Sequence, residues 1–412
     1  MEITKLKTYI QSANINFLFG SGLSQPYLST LGDTEKWLTE LAKDTAISDD
    51  VHKVIKASIY KEYFVKVILP NYEPNKESEQ YKKVIDNYRN FLTIWNEIIN
   101  KRANRLLSKQ VNIYTTNIDT LVENAVKAQL EFNDGFKGSI EQVFDEGNFQ
   151  KSYSKTSLHF QNISEIPVYN YLKMHGSINW NGQGSTIIND NTLKLVNEIN
   201  AELQKIDSAF LIDTLCPDYN RSKPYEQLSK DAHSKVSDNP KVDYSKSFQP
   251  FLDLYEKLII VNPTKHKFIE SVIELHFYEL MRMYSNSLEK ENTILFVMGF
   301  SFADEHIAKI TLRAANTNPT LLVLIFSYNN EQMVNDETEI YNPDFVNYNN
   351  LTNNAINNNI FVLTPEIFKK NNFEDKETEK KKIIDGITKF DLATINSVFQ
   401  LINNEIPVNY DR

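Results

Sequence analysis

The chain has 412 residues, of which 41% are hydrophobic, so it can bury one large core with embellishments or two domains. Its formal charge of −10 at pH 7 argues against a basic face that would bind nucleic acid directly. Its single cysteine, Cys216, excludes an intramolecular disulfide and a zinc site built from three or four cysteines, and the absence of an HxxxH or HxH pair gives no support for a catalytic metal.

No apolar run of the sequence approaches the roughly 18 residues that are needed to span a bilayer. The longest such run, around Leu321 to Phe326, has the length of a strand. The N-terminus lacks the basic-then-apolar pattern of a signal peptide. We therefore expect no membrane partner and a cytoplasmic location.

Six segments have the near-continuous apolar composition of buried strands, and each ends in small or polar residues: 15–24, 111–119, 168–177, 293–307, 321–327 and 360–364. Helical stretches separate them. This alternation predicts an α/β fold, a Rossmann-like parallel sheet with helices on both faces. Ligands of such sheets bind outside the carboxyl ends of the strands, so the polar motifs that follow the strands should meet at one edge.

Two long intervals interrupt the series of strands. Residues 49–110 have a helical pattern and predict an inserted helical subdomain. Residues 182–247 are polar and predict a second insert, whose later part, 215–247, has the composition of a loop. We therefore predict one main α/β domain over residues 1–330, and a C-terminal extension over 331–412 that completes the sheet and adds helices.

The first polar motif is Phe-Gly-Ser-Gly-Leu-Ser, residues 19–24. Gly20 and Gly22 would let the backbone approach a phosphate, and the amides of residues 21–24 could hold one at the start of a helix. A complete dinucleotide fingerprint requires a third glycine at the position of Gln25. An ordinary strand-to-helix turn is therefore the alternative interpretation.

The second motif is Thr-Thr-Asn-Ile-Asp, residues 115–119. Asp119 or Thr120 could cap the following helix, and Thr120 and Glu123 have the spacing of a capping box. Capping leaves Asn117 without a role. Its carboxamide, with an acceptor and two donors, could orient a water molecule or a ribose hydroxyl.

The third motif is His175 and Gly176, which follow the third predicted strand. A histidine at this place could act as a general base near neutral pH. The alternative is a core histidine that is satisfied by a backbone carbonyl. The fourth strand is followed by Gly299 and Ser301, which repeat the pattern of small residues, and by Asp304, which the sequence predicts as a structural helix cap.

In this order, Gly-Ser-Gly-x-Ser, Thr-Asn-x-Asp, His-Gly and Gly-x-Ser resemble the motifs of the sirtuin family of NAD-consuming proteins, over roughly residues 10–330. Sirtuin deacylases continue the glycine loop with a Gly-Ile-Pro-Asp-Phe-Arg type segment and carry a four-cysteine zinc module. This chain instead continues with Gln25-Pro26-Tyr27-Leu28 and has one cysteine. It is more similar to the bacterial sirtuin-like NAD hydrolases of antiphage defence, and among them to the subunit that assembles with a HerA-type hexameric ATPase. The segments that carry this similarity are 115–119, 134–136, 171–180, 262–268 and 299–307.

The resemblance implies an NAD glycohydrolase that takes NAD as its substrate, needs no zinc or other metal, and releases nicotinamide and ADP-ribose. Asn117 would orient the attacking water and a ribose hydroxyl, and His175 would accept a proton. No general acid is needed, because the nicotinamide of NAD is a pyridinium and departs as a neutral molecule. The NAD-binding residues would be Gly20, Ser21 and Gly22 at the pyrophosphate, Asp119 at the nicotinamide ribose, and Gly299, Ser301 and Ser327 at the adenosine half. Ser24 and Thr116 would also bind NAD.

The resemblance also implies homo-oligomers that dock on a HerA-type ATPase, with NAD depletion after infection as the outcome and with activity that is gated by assembly. Two alternatives stay open. An NAD-dependent protein deacylase would consume NAD only with an acylated peptide. A non-catalytic sensor subunit would bind NAD or ADP-ribose without forming product.

Overall fold

The computed structural model describes residues 1–30, 33–102, 107–157, 163–184, 186–216, 222–261, 272–335, 338–373 and 378–407. These residues form a central sheet of seven strands: β1 (Asn14–Phe19), β2 (Gln110–Thr115), β3 (Glu131–Asn133), β4 (Val168–Lys173), β5 (Thr293–Met298), β6 (Leu321–Phe326) and β7 (Ile360–Leu363). Their order is β7-β6-β5-β1-β2-β4-β3, and each neighbouring pair is parallel. The predicted α/β fold with a parallel sheet is therefore confirmed, and all six predicted strands belong to it.

The described helices are Ile3–Ser12, Thr34–Lys43, Asp49–Tyr63, Glu79–Lys101, Leu121–Ala125, Lys194–Leu203, Tyr225–Asp238, Tyr244–Tyr255, Val272–Leu288, Glu305–Thr317, Asp344–Asn354, Pro365–Asn371, Thr378–Asp385 and Leu392–Glu405. A π-helical segment spans Phe64–Ile68, and 3₁₀ segments span Ser21–Ser24, Leu69–Asn71, Glu146–Gln150 and Ser208–Phe210. A small antiparallel sheet contains Phe136–Lys137, Val143–Phe144, Trp180–Gln183 and Thr186–Asn189. Two antiparallel ribbons pair Tyr153–Thr156 with Ile163–Ile166, and Gln332–Asn335 with Thr338–Tyr341.

Helices cover both faces of the central sheet. On one face, Phe17 of β1 packs edge-on against Trp95 of helix 79–101, with ring centroids 4.8 Å apart, and Trp95 packs against Phe399 of helix 392–405 at 4.9 Å. On the other face, Leu18 and Leu295 pack in a second core with helices 272–288 and 305–317. Phe17 and Leu18, adjacent residues of β1, thus bury opposite faces, as expected for a central parallel strand.

A third core lies outside the sheet and forms a helical lobe. It joins the helices between 34 and 68 to the helices between 194 and 255, and its centre includes a stacked pair, Tyr60 and Tyr255, with ring centroids 4.1 Å apart. Ile118, which follows β2, belongs to the same core. The structure thus divides the predicted 49–110 insert, because helix 79–101 packs on the sheet and the preceding helices join the lobe.

The composition of residues 215–247 predicted a loop, and this prediction is wrong for part of the segment. Residues Tyr225–Asp238 form a helix. Only a narrow stripe of that helix is fully buried, at Leu228 and Ala232, which are four residues apart and lie on one face. The remaining positions are mostly polar, and this polarity concealed the helical period.

A ladder of four asparagines crosses the interior of the sheet. Asn112 Nδ2 donates to Asn16 Oδ1 at 2.9 Å, Asn170 Nδ2 to Asn112 Oδ1 at 3.0 Å, and Asn133 Nδ2 to Asn170 Oδ1 at 2.8 Å. The same residues are aligned across β1, β2, β4 and β3. Because a shift of one residue would turn an asparagine to the opposite face, the ladder fixes the register of the strands.

We expect Asn112→Ala to lower the free energy of unfolding by about 2 kcal/mol or more, because it leaves polar groups of Asn16 and Asn170 buried without this partner. Denaturant titration measures the change. The matched control is Asn404→Ala on the exposed side of the last helix, which should change stability by less than about 0.5 kcal/mol. Equal effects of the two substitutions would contradict a role for the ladder.

Candidate active site

A cleft of 1760 Å³ opens at the carboxyl ends of the central strands. Its walls include residues 21–25 after β1, 116–119 after β2, 174–175 after β4 and 299–301 after β5. Nine of the residues that the sequence singled out line this cleft: Ser21, Gly22, Ser24, Thr116, Asn117, Asp119, His175, Gly299 and Ser301. The structure thus brings motifs that are far apart in the chain to one edge of the sheet.

The glycines of the first and fourth motifs bring two backbone segments into contact. Gly22 N donates to Gly299 O at 3.0 Å, and Gly20 N donates to Met298 O at 3.0 Å. A Cβ atom on Gly20 would lie 2.3 Å from Gly299 O, so a larger residue does not fit there. Gly20 itself is not on the cleft wall, and the Gly22 and Leu23 amides of the predicted phosphate cradle are already hydrogen bonded.

Asn117 is buried at the floor of the cleft, with 5% of its surface exposed. Its Nδ2 donates to Gly20 O at 3.2 Å and to Ser24 Oγ at 3.3 Å. Because a backbone carbonyl only accepts hydrogen bonds, the contact with Gly20 fixes which way the carboxamide points. Asn117 Oδ1 is buried and has no hydrogen-bond partner among the described residues. This oxygen is therefore an oriented acceptor without a protein donor.

Ser24 and Asp119 continue this hydrogen-bond chain behind Asn117. Ser24 Oγ donates to Asp119 Oδ2 at 2.8 Å, and Asp119 Oδ1 accepts from Leu121 N at 3.0 Å. Burial, with the nearby charge of Asp119, raises the pKa of the Tyr88 phenol, whose oxygen lies 3.3 Å from Ser24 Oγ. The Ser24 hydroxyl, which the sequence predicted as a ligand contact, therefore also holds Asn117 in place.

Capping of the helix after this motif is carried by Asp119. The Thr120 side chain makes no capping hydrogen bond, so the predicted capping box with Glu123 does not form. Glu123 instead pairs with Lys173 at the end of β4, where Nζ lies 2.7 Å from Glu123 Oε1. Lys173 is 3% exposed, and it also donates to the backbone oxygen of Asp119 and to Ser177 Oγ. One lysine thus ties the 116–119 loop to β4.

The pKa of Glu123 is raised, because burial penalises its charge more than the neighbouring Lys173 favours it. This ion pair was not among the contacts predicted from the sequence. The available signal was a lysine at the end of the strand Val168–Lys173, every residue of which is buried. A lysine in such a place needs a partner, although the sequence does not identify it.

His175 pairs with Asp304, a residue of the fourth motif. His175 Nε2 lies 3.0 Å from Asp304 Oδ2, and each side chain is 20% exposed. Asp304 Oδ1 accepts from the amides of His306 and Ile307 at 2.8 and 3.1 Å, which confirms its predicted role as a helix cap. Burial alone would raise the pKa of Asp304, but the hydrogen bond and charge of His175, with the two amides, lower it. The imidazole is thus paired with a carboxylate. The alternative interpretation from the sequence was a histidine paired with a backbone carbonyl, and this carboxylate partner was not predicted.

The helical lobe supplies part of the cleft wall. Tyr63, Val67, Tyr255 and Ile260 line the cleft. Burial, and secondly the charge of Asp119, raise the pKa of the Tyr63 phenol. The Tyr63 ring therefore lies near the Asp119 carboxylate, and the lobe adds aromatic and aliphatic side chains to the cleft wall.

The end of β6 and the C-terminal extension also contribute to the cleft. Phe326 and Tyr328 line it, together with residues 343–344, 348 and 390–391. Ser327, which lies between the first two, is 1% exposed and does not line the cleft. Its Oγ donates to Asn329 O at 2.8 Å. Ser327 therefore stabilises the turn that presents its neighbours.

Acidic side chains outnumber basic ones on the cleft walls. The aspartates and glutamates are Asp33, Glu35, Asp119, Glu289, Asp304, Glu305, Asp344 and Asp391, and the basic residues other than histidine are Arg282 and Arg313. Arg282 pairs with Glu279, and Arg313 lies 3.3 Å from Glu289. This charge distribution favours a ligand or transition state that carries positive charge.

No protein-family model matches the chain, and no curated protein matches it in sequence. The segment 262–268, one of those that carry the sirtuin resemblance, lies outside the described residues. Within the part of the chain that the structure describes, no helix is both long and apolar enough to cross a membrane. A function is therefore inferred from the chemistry of the cleft and from the resemblance of its motifs.

Proposed function

We propose that the chain is an NAD glycohydrolase, which cleaves NAD with water to nicotinamide and ADP-ribose. The observation that carries the proposal is the meeting of Asn117 and His175 in one cleft. There, an oriented carbonyl oxygen without a protein donor and an imidazole lie beside the glycine-containing ends of β1 and β5. This combination supplies an acceptor for water and a proton acceptor at the carboxyl ends of the strands, where ligands of parallel sheets bind.

The reaction needs little from the protein at its leaving group. The nicotinamide ring of NAD is a pyridinium, and the electron pair of the breaking C1′–N bond neutralises it. No proton donor is required, so the cleft does not need the paired carboxylates of ordinary glycosidases. The remaining tasks are to stabilise a ribose with oxocarbenium character, to position water at C1′ and to exclude other water.

Asn117 and Asp119 fit the first two of these tasks. Asn117 Oδ1 accepts a hydrogen bond from the attacking water or from a ribose hydroxyl, and its orientation is fixed before substrate binds. The Asp119 carboxylate is linked to Asn117 through the Ser24 hydroxyl, and its negative charge favours a cationic ribose. The aromatic wall at Tyr63 and Tyr255 reduces the space for bulk water.

The rest of NAD would occupy the parts of the cleft that face β1, β5 and β6. Ser21 and Gly22 lie at the pyrophosphate, with Gly20 keeping the loop close to Gly299. Gly299 and Ser301 lie toward the adenosine half. Arg282 and Arg313 are the basic residues other than histidine on the cleft walls, and each already pairs with a glutamate.

The resemblance extends the proposal to the cell. The chain forms homo-oligomers in the cytoplasm, assembles with a HerA-type hexameric ATPase, and depletes NAD during antiphage defence. Because unrestrained NAD cleavage would kill the host, assembly gates the activity. The helical lobe over the cleft is the element through which assembly could control access.

Product analysis tests the proposal. The purified chain, alone and mixed with a candidate HerA-type ATPase, is incubated with NAD, while chromatography measures nicotinamide and ADP-ribose and light scattering measures oligomer mass. We expect equimolar products whose rate depends on assembly, and a loss of about 100-fold or more in His175→Ala. The matched control is His233→Ala, an exposed histidine of helix 225–238 outside the cleft, which should retain the wild-type rate.

Three outcomes would contradict the proposal. NAD binding without product in every assembly would establish a sensor, and cleavage that requires an acylated peptide would establish a deacylase. A wild-type rate in His175→Ala would remove the proposed proton acceptor.

A further inference from the structure

Asp304 makes two sets of hydrogen bonds with its two carboxylate oxygens. Oδ1 accepts the amides of His306 and Ile307 at the start of helix 305–317, and Oδ2 lies 3.0 Å from His175 Nε2. The helix therefore holds the carboxylate in one orientation, and the carboxylate holds the imidazole. The sequence motifs suggested His175 as a base, but they did not predict that Asp304 would be its partner.

We propose that Asp304 is a positioning residue that sets the tautomer of His175. An ionised carboxylate only accepts hydrogen bonds, so it keeps the proton of the neutral imidazole on Nε2. The lone pair is then on Nδ1, which becomes the proton acceptor. This inference rests on the proposed function, because it assigns the atom of His175 that receives the proton in NAD cleavage.

The proton transfer balances as follows for one turnover. The C1′–N bond breaks and its electron pair stays on the nicotinamide nitrogen, while a C1′–O bond forms to water. One proton of that water passes to His175 Nδ1. The resulting imidazolium keeps its Nε2–H on Asp304, whose charge stabilises it, and later releases the Nδ1 proton to solvent.

Asp304→Asn should invert this arrangement without removing the helix cap. The amides of His306 and Ile307 require an acceptor, so the Asn oxygen stays at the Oδ1 position. Its NH₂ group then faces His175 Nε2 and can only donate. The neutral ring must carry its proton on Nδ1 instead, and the base is lost while asparagine still caps the helix.

The experiment combines a spectroscopic readout that needs no NAD with a kinetic readout. Protein labelled with ¹⁵N-histidine reports which ring nitrogen of His175 carries the proton, with His175→Ala assigning the signals. Turnover of NAD is measured for Asp304→Asn, for His175→Ala and for the double variant. The matched control is Asp243→Asn, the cap of helix 244–255, which accepts from Lys246 N at 2.9 Å and lies away from the cleft.

We expect the ring proton of His175 on Nε2 in the wild type and on Nδ1 in Asp304→Asn. We expect kcat to fall about 100-fold or more in Asp304→Asn with KM within about twofold. The double variant should be no slower than His175→Ala, because both substitutions remove the same proton acceptor. Asp243→Asn should match the wild type in rate.

The inference is overturned if the proton stays on the same nitrogen in Asp304→Asn, or if Asp304→Asn slows His175→Ala by the factor by which it slows the wild type. A protein that shows the tautomer change but cleaves no NAD in any assembly would overturn the proposed function. In that case the catalytic role of His175 Nδ1 would be rejected as well. The NMR spectrum would still show that Asp304 and His175 are paired, so the two failures can be told apart.

Discussion

Asn117→Ala should lower kcat for NAD cleavage about 100-fold or more while the fold is kept. The substitution removes the Asn117 carboxamide, whose oxygen is the proposed acceptor for water. The hydrogen bonds of Asn117 Nδ2 to Gly20 O and Ser24 Oγ fix the orientation of this carboxamide. KM should change less than kcat, because water and the ribose are oriented most strictly in the transition state. Steady-state kinetics under assembly conditions measures both constants, and circular dichroism checks the fold.

Two further variants sharpen this prediction. Asn117→Asp has a similar shape but replaces the Nδ2 donor with an oxygen that faces Gly20 O, so it should also be inactive. Asn239→Ala removes a half-buried carboxamide from the helical lobe outside the cleft and should keep the wild-type rate. Turnover near the wild-type rate in Asn117→Ala would remove this residue from the mechanism.

Lys173→Met should lower the free energy of unfolding by about 3–5 kcal/mol, the usual effect of leaving one charge of a buried ion pair without its partner. The charge that remains is Glu123, and the loop 116–119 also loses its bond from Lys173 to Asp119 O. NAD cleavage should therefore fall as well, because the loop that carries Asn117 is less well held. Denaturant titration and kinetics measure the two effects.

The effect of Lys173→Met on stability should depend on pH with a defined sign. Burial already raises the pKa of Glu123, and removal of Lys173 leaves that effect unopposed. A carboxyl group whose folded pKa lies above its unfolded value destabilises the fold as pH rises above about 4.3. The deficit of Lys173→Met should therefore be smaller at about pH 5 than at about pH 8.

Two controls identify the buried pair as the cause. The double variant Lys173→Met, Glu123→Leu removes both charges and should recover most of the lost stability. Lys309→Met breaks an exposed pair with Glu305, whose side chains are 73% and 67% exposed, and should change stability by less than about 1 kcal/mol. A double variant as unstable as Lys173→Met at every pH would contradict the assignment.

The sequence predicted the sheet well, because buried parallel strands have a strong local pattern. β3 was missed, since Glu131–Asn133 is a three-residue strand with no fully buried position. The helix Tyr225–Asp238 was missed because its buried stripe is narrow. The helical lobe was not predicted as one unit, because it joins residues near 60 to residues near 255, and a local pattern carries no information about such contacts.

For the site, the sequence predicted positions but not partners. Asn117, His175 and Gly299 lie at the strand ends, where the motifs placed them, and they line one cleft. The residues that hold them, Asp304 and Lys173, were read as a cap and as part of a strand. Asp304 pairs with His175, and Lys173 pairs with Glu123. In each pair the two residues are far apart in the chain. Only the folded structure gives these pairings.

The most direct measurement of the central claim is a crystal structure of His175→Ala with NAD, since this variant should bind the substrate and cleave it slowly. We predict that C1′ of the nicotinamide ribose lies between Asn117 Oδ1 and the space left by the imidazole, with the pyrophosphate near Ser21 and Gly22. A dinucleotide bound elsewhere, or a ribose out of reach of Asn117, would contradict the account.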